Sequence, residues 1–151
     1  MTRWRPAPTI RFKAIGLHWR GDRLLAAEVT DDAGRLKGVR PLGGSVEFGE
    51  TAQGALVREF HEELGVPVTI KSPPFFIENI YHHEGNLGHE LLAVFDVSFP
   101  QGAYDHQDRI AFTEHDGYRC HAEWFALDTL DLPNGPKLFP DGLKTRLLGS
   151  C

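Results

Sequence analysis

The stretch Gly43-Gly44-Ser45-Val46-Glu47-Phe48-Gly49-Glu50-Thr51-Ala52-Gln53-Gly54-Ala55-Leu56-Val57-Arg58-Glu59-Phe60-His61-Glu62-Glu63-Leu64-Gly65-Val66 decides how the rest of this chain is read. A glycine-rich loop is expected to run straight into a helix of roughly four turns, with Thr51 as N-cap and Gly65 as the left-handed stop. At about 100° per residue, Leu56, Val57, Phe60 and Leu64 share one arc, a stripe that docks the helix on a sheet. Glu59, Glu62 and Glu63 fill the neighbouring arc at i, i+3 and i+4, so their carboxylates converge on one helix edge. Like charges gathered this way repel one another unless a cation joins them, and an all-carboxylate set favours Mg²⁺ or Mn²⁺. Gly44 leaves its backbone carbonyl open to such an ion. Arg58 is placed to hold a loop carboxylate, with Glu50 as its partner.

Outward from this stretch, strand patterns dominate. Residues 9–19 alternate in part and predict a strand with a bulge near Lys13-Ala14. Gly21-Asp22 turns the chain, and Arg23 to Val29 returns as the second arm of a hairpin. Val39 to Leu42 is short and extended, and it delivers the chain to the glycines. Beyond the helix, Val66 to Lys71 and Phe75 to His83 predict strands split by Ser72-Pro73-Pro74. His89 to Phe99 is apolar on both faces, as a central strand is. Pro100 to Gly117 reads as a long polar loop, Cys120 to Leu127 as a strand, and Pro140 to Leu148 as a terminal helix.

Composition sets the outer bounds. With 151 residues the chain predicts one domain spanning 1–151. Lys and Arg total 16 against 21 Asp and Glu, a net charge of −5, which argues against extended nucleic acid as a partner. A polyphosphate ligand would then need metal ions to offset repulsion. No apolar run approaches the roughly 20 residues of a membrane helix, and no signal core follows Met1 to Pro6. The expectation is a soluble cytoplasmic protein with no membrane partner. Cys120 and Cys151 form no metal or redox motif and predict free thiols.

The pattern of Gly44, five residues, Glu50, seven residues, then Arg58 to Val66 matches the Nudix box at every fixed position. Phe60 stands where the family usually has an aliphatic residue. Chance would produce such a match with probability on the order of 10⁻⁷ at ordinary residue usage. The chain therefore resembles the Nudix hydrolases, and the leading hairpin, the central strand and the late strand bearing Trp124 follow in the family's order. The resemblance implies an α/β fold, a Nudix-type α/β/α sandwich around a mixed, mostly antiparallel sheet. It also implies metal-dependent hydrolysis of a phosphoanhydride in a nucleoside diphosphate linked to another moiety, a small-molecule nucleotide substrate. Glu59, Glu62, Glu63 and Gly44 would hold the metal, Glu59 would double as a base, and Arg58 and Glu50 would orient the site. A further carboxylate from outside the box is expected at Glu114, with Glu123 as second choice. A house-cleaning nucleoside triphosphate pyrophosphatase and a non-catalytic nucleotide-binding module stay open, as does a homodimer.

Other residues are given plainer readings. His82, His83 and His89 flank a hairpin loop and are expected to be bystanders, with substrate contact as the alternative. Trp4, Trp19 and Trp124 are expected to pack. Tyr81 stands fifteen residues after Val66, where the ADP-ribose subgroup usually has proline. A tyrosine near that place goes with dinucleoside polyphosphate hydrolases, usually one or more residues later.

Overall fold

The computed structural model describes residues 4–114 and 116–149. Eleven strands and two helices follow in the order β1 (Ile10–Leu17), β2 (Trp19–Arg20), β3 (Arg23–Thr30), β4 (Leu36–Arg40), β5 (Leu42–Ser45), α1 (Ala52–Leu64), β6 (Thr69–Ile70), β7 (Phe75–His83), β8 (Asn86–Ser98), β9 (Arg109–Thr113), β10 (Arg119–Ala126), β11 (Lys137–Leu138) and α2 (Leu143–Gly149). One sheet has the order β5-β1-β8-β6, with β7 also paired to β8, and the other runs β11-β4-β3-β10-β9, with β2 on β3. Only β1–β8 and β4–β11 pair in parallel among these ladders, so the sheets are mixed and mostly antiparallel.

Alternation along the central strands feeds two cores at once. Ala14, Leu25, Ala27, Ala93, Phe95 and Val97 join the first core, under Leu56, Phe60 and Leu64 of α1. Their neighbours in sequence, Ile15, Leu24, Ala26, Leu92 and Val94, join the second, with Leu143 of α2. A strand residue and its successor point to opposite faces, so the helices cover opposite sides and the architecture is an α/β/α sandwich. Helix α1 starts where Thr51 accepts a hydrogen bond from Gly54 N, and it stops at Gly65 with φ 69°. It sits close to the sheet because Gly16 has no side chain: a Cβ there would come within 2.7 Å of the Phe60 ring.

Several expectations need correction. Gly43 and Gly44 lie within strand β5 rather than in a loop. Ladder pairing with Gly16 and Ile15 through Leu42 and Gly43 holds them there. Strand β1 keeps unbroken register with β8 from Ile10 to Leu17, so no bulge occurs at Lys13-Ala14. The stretch from Pro100 to Gly117 contains strand β9, whose Ile110 and Phe112 are buried in the first core. Its alternation is short and framed by charges, which hid it. The strand expected over Val66 to Lys71 shortens to Thr69–Ile70, and the terminal helix begins at Leu143. Cys151 lies outside the described residues. Among the described residues, no helix is long and apolar enough to cross a membrane.

Candidate active site

The site is assembled at the seam between β5 and α1. Gly44 pairs with Ala14 in the β1 ladder, which sets its Cα directly beneath the helix. The Glu59 carboxylate packs against that bare backbone, and a Cβ on Gly44 would collide with it. Glu59 is accordingly buried, at 8 % exposure.

Arg58 organises the surrounding charges. Its Nε donates to Glu50 Oε2 at 2.7 Å and its Nη2 to Glu50 Oε1 at 2.8 Å, a two-point fork. Nη2 also reaches the Ser45 carbonyl at 3.1 Å, tying helix to strand. Nη1 donates to Glu59 Oε1 at 2.9 Å and to Glu62 Oε2 at 3.3 Å. The Arg58 hydrogen bonds, joined by one from Glu47 N, pull the Glu50 carboxyl down to about 2. Glu50 in turn leads the groups that raise Arg58, against a burial cost.

Glu63 has the opposite environment. Burial pushes its carboxyl up to about 8; Arg40 opposes the shift, while Glu114, Glu59 and Glu62 add to it. Its Oε1 is buried without a hydrogen-bond partner. Beside it, Arg40 of β4 donates to Glu114, just past β9. Burial works against the Arg40 charge, yet Glu114 and Glu63 more than offset it and raise Arg40 overall. The same burial, with Glu114 adding to it, pushes the Cys120 thiol up to about 12.

The NUDIX domain family model matches residues 13–142. The chain belongs to the Nudix hydrolase family. Its fold is shared with the ORF135 protein of E. coli, at 19 % identity and TM-score 0.57 over 93 % of this chain and 89 % of that one. It is also shared with a MutT NUDIX hydrolase from Burkholderia pseudomallei, at 23 % identity and TM-score 0.54 over 85 % and 91 %. An ADP-ribose pyrophosphatase from Streptococcus suis aligns at 16 % identity and TM-score 0.50 over 87 % and 81 %. No curated protein gives a significant match.

Within the Nudix box, then, Arg58 bonds Glu50, Glu59, Glu62 and the Ser45 carbonyl into one group, and Gly44 packs against Glu59. Glu63 feels the charge of Arg40, which pairs with Glu114 from outside the box. Glu123 is engaged elsewhere, sharing Arg109 with Glu28 at 2.8 and 2.7 Å. Among the described residues, no three His, Cys, Asp or Glu side chains already form a metal cage. Arg58 stands between Glu59 and Glu62 and takes up their inner oxygens. The donors nonetheless fit a hard divalent cation: all are oxygen, they lie on one helix edge, and Glu63 offers a buried oxygen lacking a partner. Arg40 escaped the sequence reading. Its one signal was a cation closing a strand just ahead of the glycines.

Proposed function

We propose that this Nudix hydrolase is a Mg²⁺- or Mn²⁺-dependent pyrophosphohydrolase acting on a nucleoside diphosphate linked to another moiety. The observation that carries this reading is Glu63 Oε1, buried and without a hydrogen-bond partner beside other carboxylates. Such an oxygen is costly to bury and becomes favourable when a cation accepts it. Glu59, Glu62, Glu63 and the Gly44 carbonyl would hold the metal, which supplies charge neutralisation at phosphate and acidification of a water.

The protein's own groups do the rest. Arg58 keeps Glu59 and Glu62 oriented, and the Glu50 fork keeps Arg58 from turning away. Glu59 is the candidate base for the water that attacks phosphorus as the bridging oxygen departs. Glu114, anchored by Arg40, is the added carboxylate from outside the box. Solved structures of the same fold include the ADP-ribose pyrophosphatase and a UDP-X diphosphatase; both descriptions support a nucleoside diphosphate derivative.

The test is a panel of nucleotide sugars, dinucleoside polyphosphates and nucleoside triphosphates with Mg²⁺, products separated by ion exchange. Glu62→Gln and Glu63→Gln are expected to lower turnover about 10²- to 10³-fold. No turnover on any substrate, or unchanged turnover in both variants, refutes the reading. Release of pyrophosphate from triphosphates alone would replace it with the house-cleaning activity, and metal-independent binding without turnover with the non-catalytic module.

A further inference from the structure

The side of the first sheet that α1 packs on extends well past the helix. By register Ala14 stands beside Ala93, Phe12 beside Leu91 and Ile10 beside His89. Across β8, Phe76, Glu78, Ile80 and His82 stand beside Ala93, Leu91, His89 and Leu87. Directly paired residues point the same way, so all of these share one side of the sheet. Helix α1 covers the half at Ala14, Ala93 and Phe95, where Leu56 and Phe60 complete the first core. The other half is open: Ile10, Phe12, Phe76, Ile80, Leu87 and Leu91 are each 36–70 % exposed.

A strand with one face in water ordinarily alternates apolar with polar residues. Strands β7 and β8 do not: Ile77 and Leu92 serve the second core while Ile80 and Leu91 face outward. At their exposures the six open side chains present roughly 600 Å² of apolar surface. That equals the largest patch carried by a typical monomer, about 300–600 Å².

Charge narrows what can cover this face. With a net charge of −5, two copies of the chain repel on most approaches. A twofold contact sets a surface against itself, so it needs a patch without like charges. Among the described residues of β1, β7 and β8 on this side, Glu78 is the one carboxylate. Its Oε2 lies 3.5 Å from His89 Nε2. An anionic lipid surface would meet the net negative charge of the whole chain instead. Size agrees as well. A standard interface takes about 800 Å² from each partner, and homodimer interfaces are about 65 % apolar. The open patch supplies the apolar share of one such half.

We propose that the open half of this face is a homodimer interface, packed sheet against sheet about a twofold axis. Leu91 lies at its centre, with Phe12 and Ile80 on the flanking strands. The proposal is independent of the chemistry at the Nudix box.

Sedimentation velocity and light scattering on the full chain, from about 1 to about 100 µM, test it. The expected result is a dimer that forms with rising concentration and persists in 1 M NaCl, because apolar contact is not screened by salt. Ile80→Lys and Leu91→Lys should each weaken association at least tenfold, since each sets like charges against one another across the axis. Leu132→Lys and Leu148→Lys, at exposed apolar residues outside the patch, should leave association unchanged. Circular dichroism checks that the variants fold. Hydroxyl-radical footprinting of the wild type at both ends of the concentration range needs no variant, and Phe76 and Leu91 should be protected at the higher one. A monomer throughout, a dimer unaffected by both patch variants, or dissociation in 1 M NaCl overturns the proposal. So does a footprint on the patch that appears only with anionic vesicles, which would give the surface to lipid.

Discussion

Glu50, just ahead of α1, and Glu63, in its last turn, are driven in opposite directions. Glu50 is held at about 2 by Arg58, so it stabilises the fold above the ordinary carboxylate range and loses that contribution as pH falls toward 2. Glu63 is raised to about 8 by burial. Its folded pKa lies above its unfolded one, so its contribution is complete in acid and is lost as pH rises from about 4.3 through about 8. In EDTA, the melting temperature of the wild type should therefore fall between about pH 6 and pH 9 relative to Glu63→Gln, which cannot ionise. Mg²⁺ should remove that difference in slope by favouring the carboxylate. Thermal melts of both proteins across this range check it, and parallel slopes in EDTA would refute the buried-carboxylate account.

At the scale of elements, the seam between β5 and α1 determines where the acidic edge sits. The atoms that a Cβ at Gly44 would strike are the carboxylate end of Glu59, a flexible tip. Gly44→Ala should therefore leave the fold nearly as stable while displacing Glu59. A misplacement of about 1 Å at a catalytic group costs on the order of 10²-fold in rate. Melting and turnover measured side by side check this; full activity in the variant would mean that Glu59 tolerates another position. The helix itself was legible in the sequence, because Thr51, the stripe of Leu56, Phe60 and Leu64, and Gly65 are local signals that agree. Arg58 and Glu50 were legible for the same reason, lying within one contiguous stretch. Arg40 was not, since its significance comes from a partner distant in sequence, Glu114 just past β9. Strand β9 was hidden in a similar way, its two buried residues standing among charges that only β10 makes sense of.

For the molecule as a whole, the shared strands matter more than either helix. Strands β1, β3 and β8 each give alternate residues to both cores, so neither core can open without dismantling the strands that line the other. This arrangement supports one cooperative unit. Phe60 is buried in the first core at 1 % exposure and Leu92 in the second at 3 %. Phe60→Ala should cost about 3–5 kcal/mol and Leu92→Ala about 2–5 kcal/mol. Trp124 reports on the first core and Trp19 packs against the second, so single-tryptophan variants distinguish the two sides. Each substitution is expected to lower one common urea midpoint seen by both tryptophans, whichever core it weakens. Separate transitions, with Phe60→Ala moving only the Trp124 signal and Leu92→Ala only the Trp19 signal, would show two independent units. The alternation of Ala14 with Ile15 and of Ala93 with Val94 argues against that outcome, because every peptide unit between them is common to both cores.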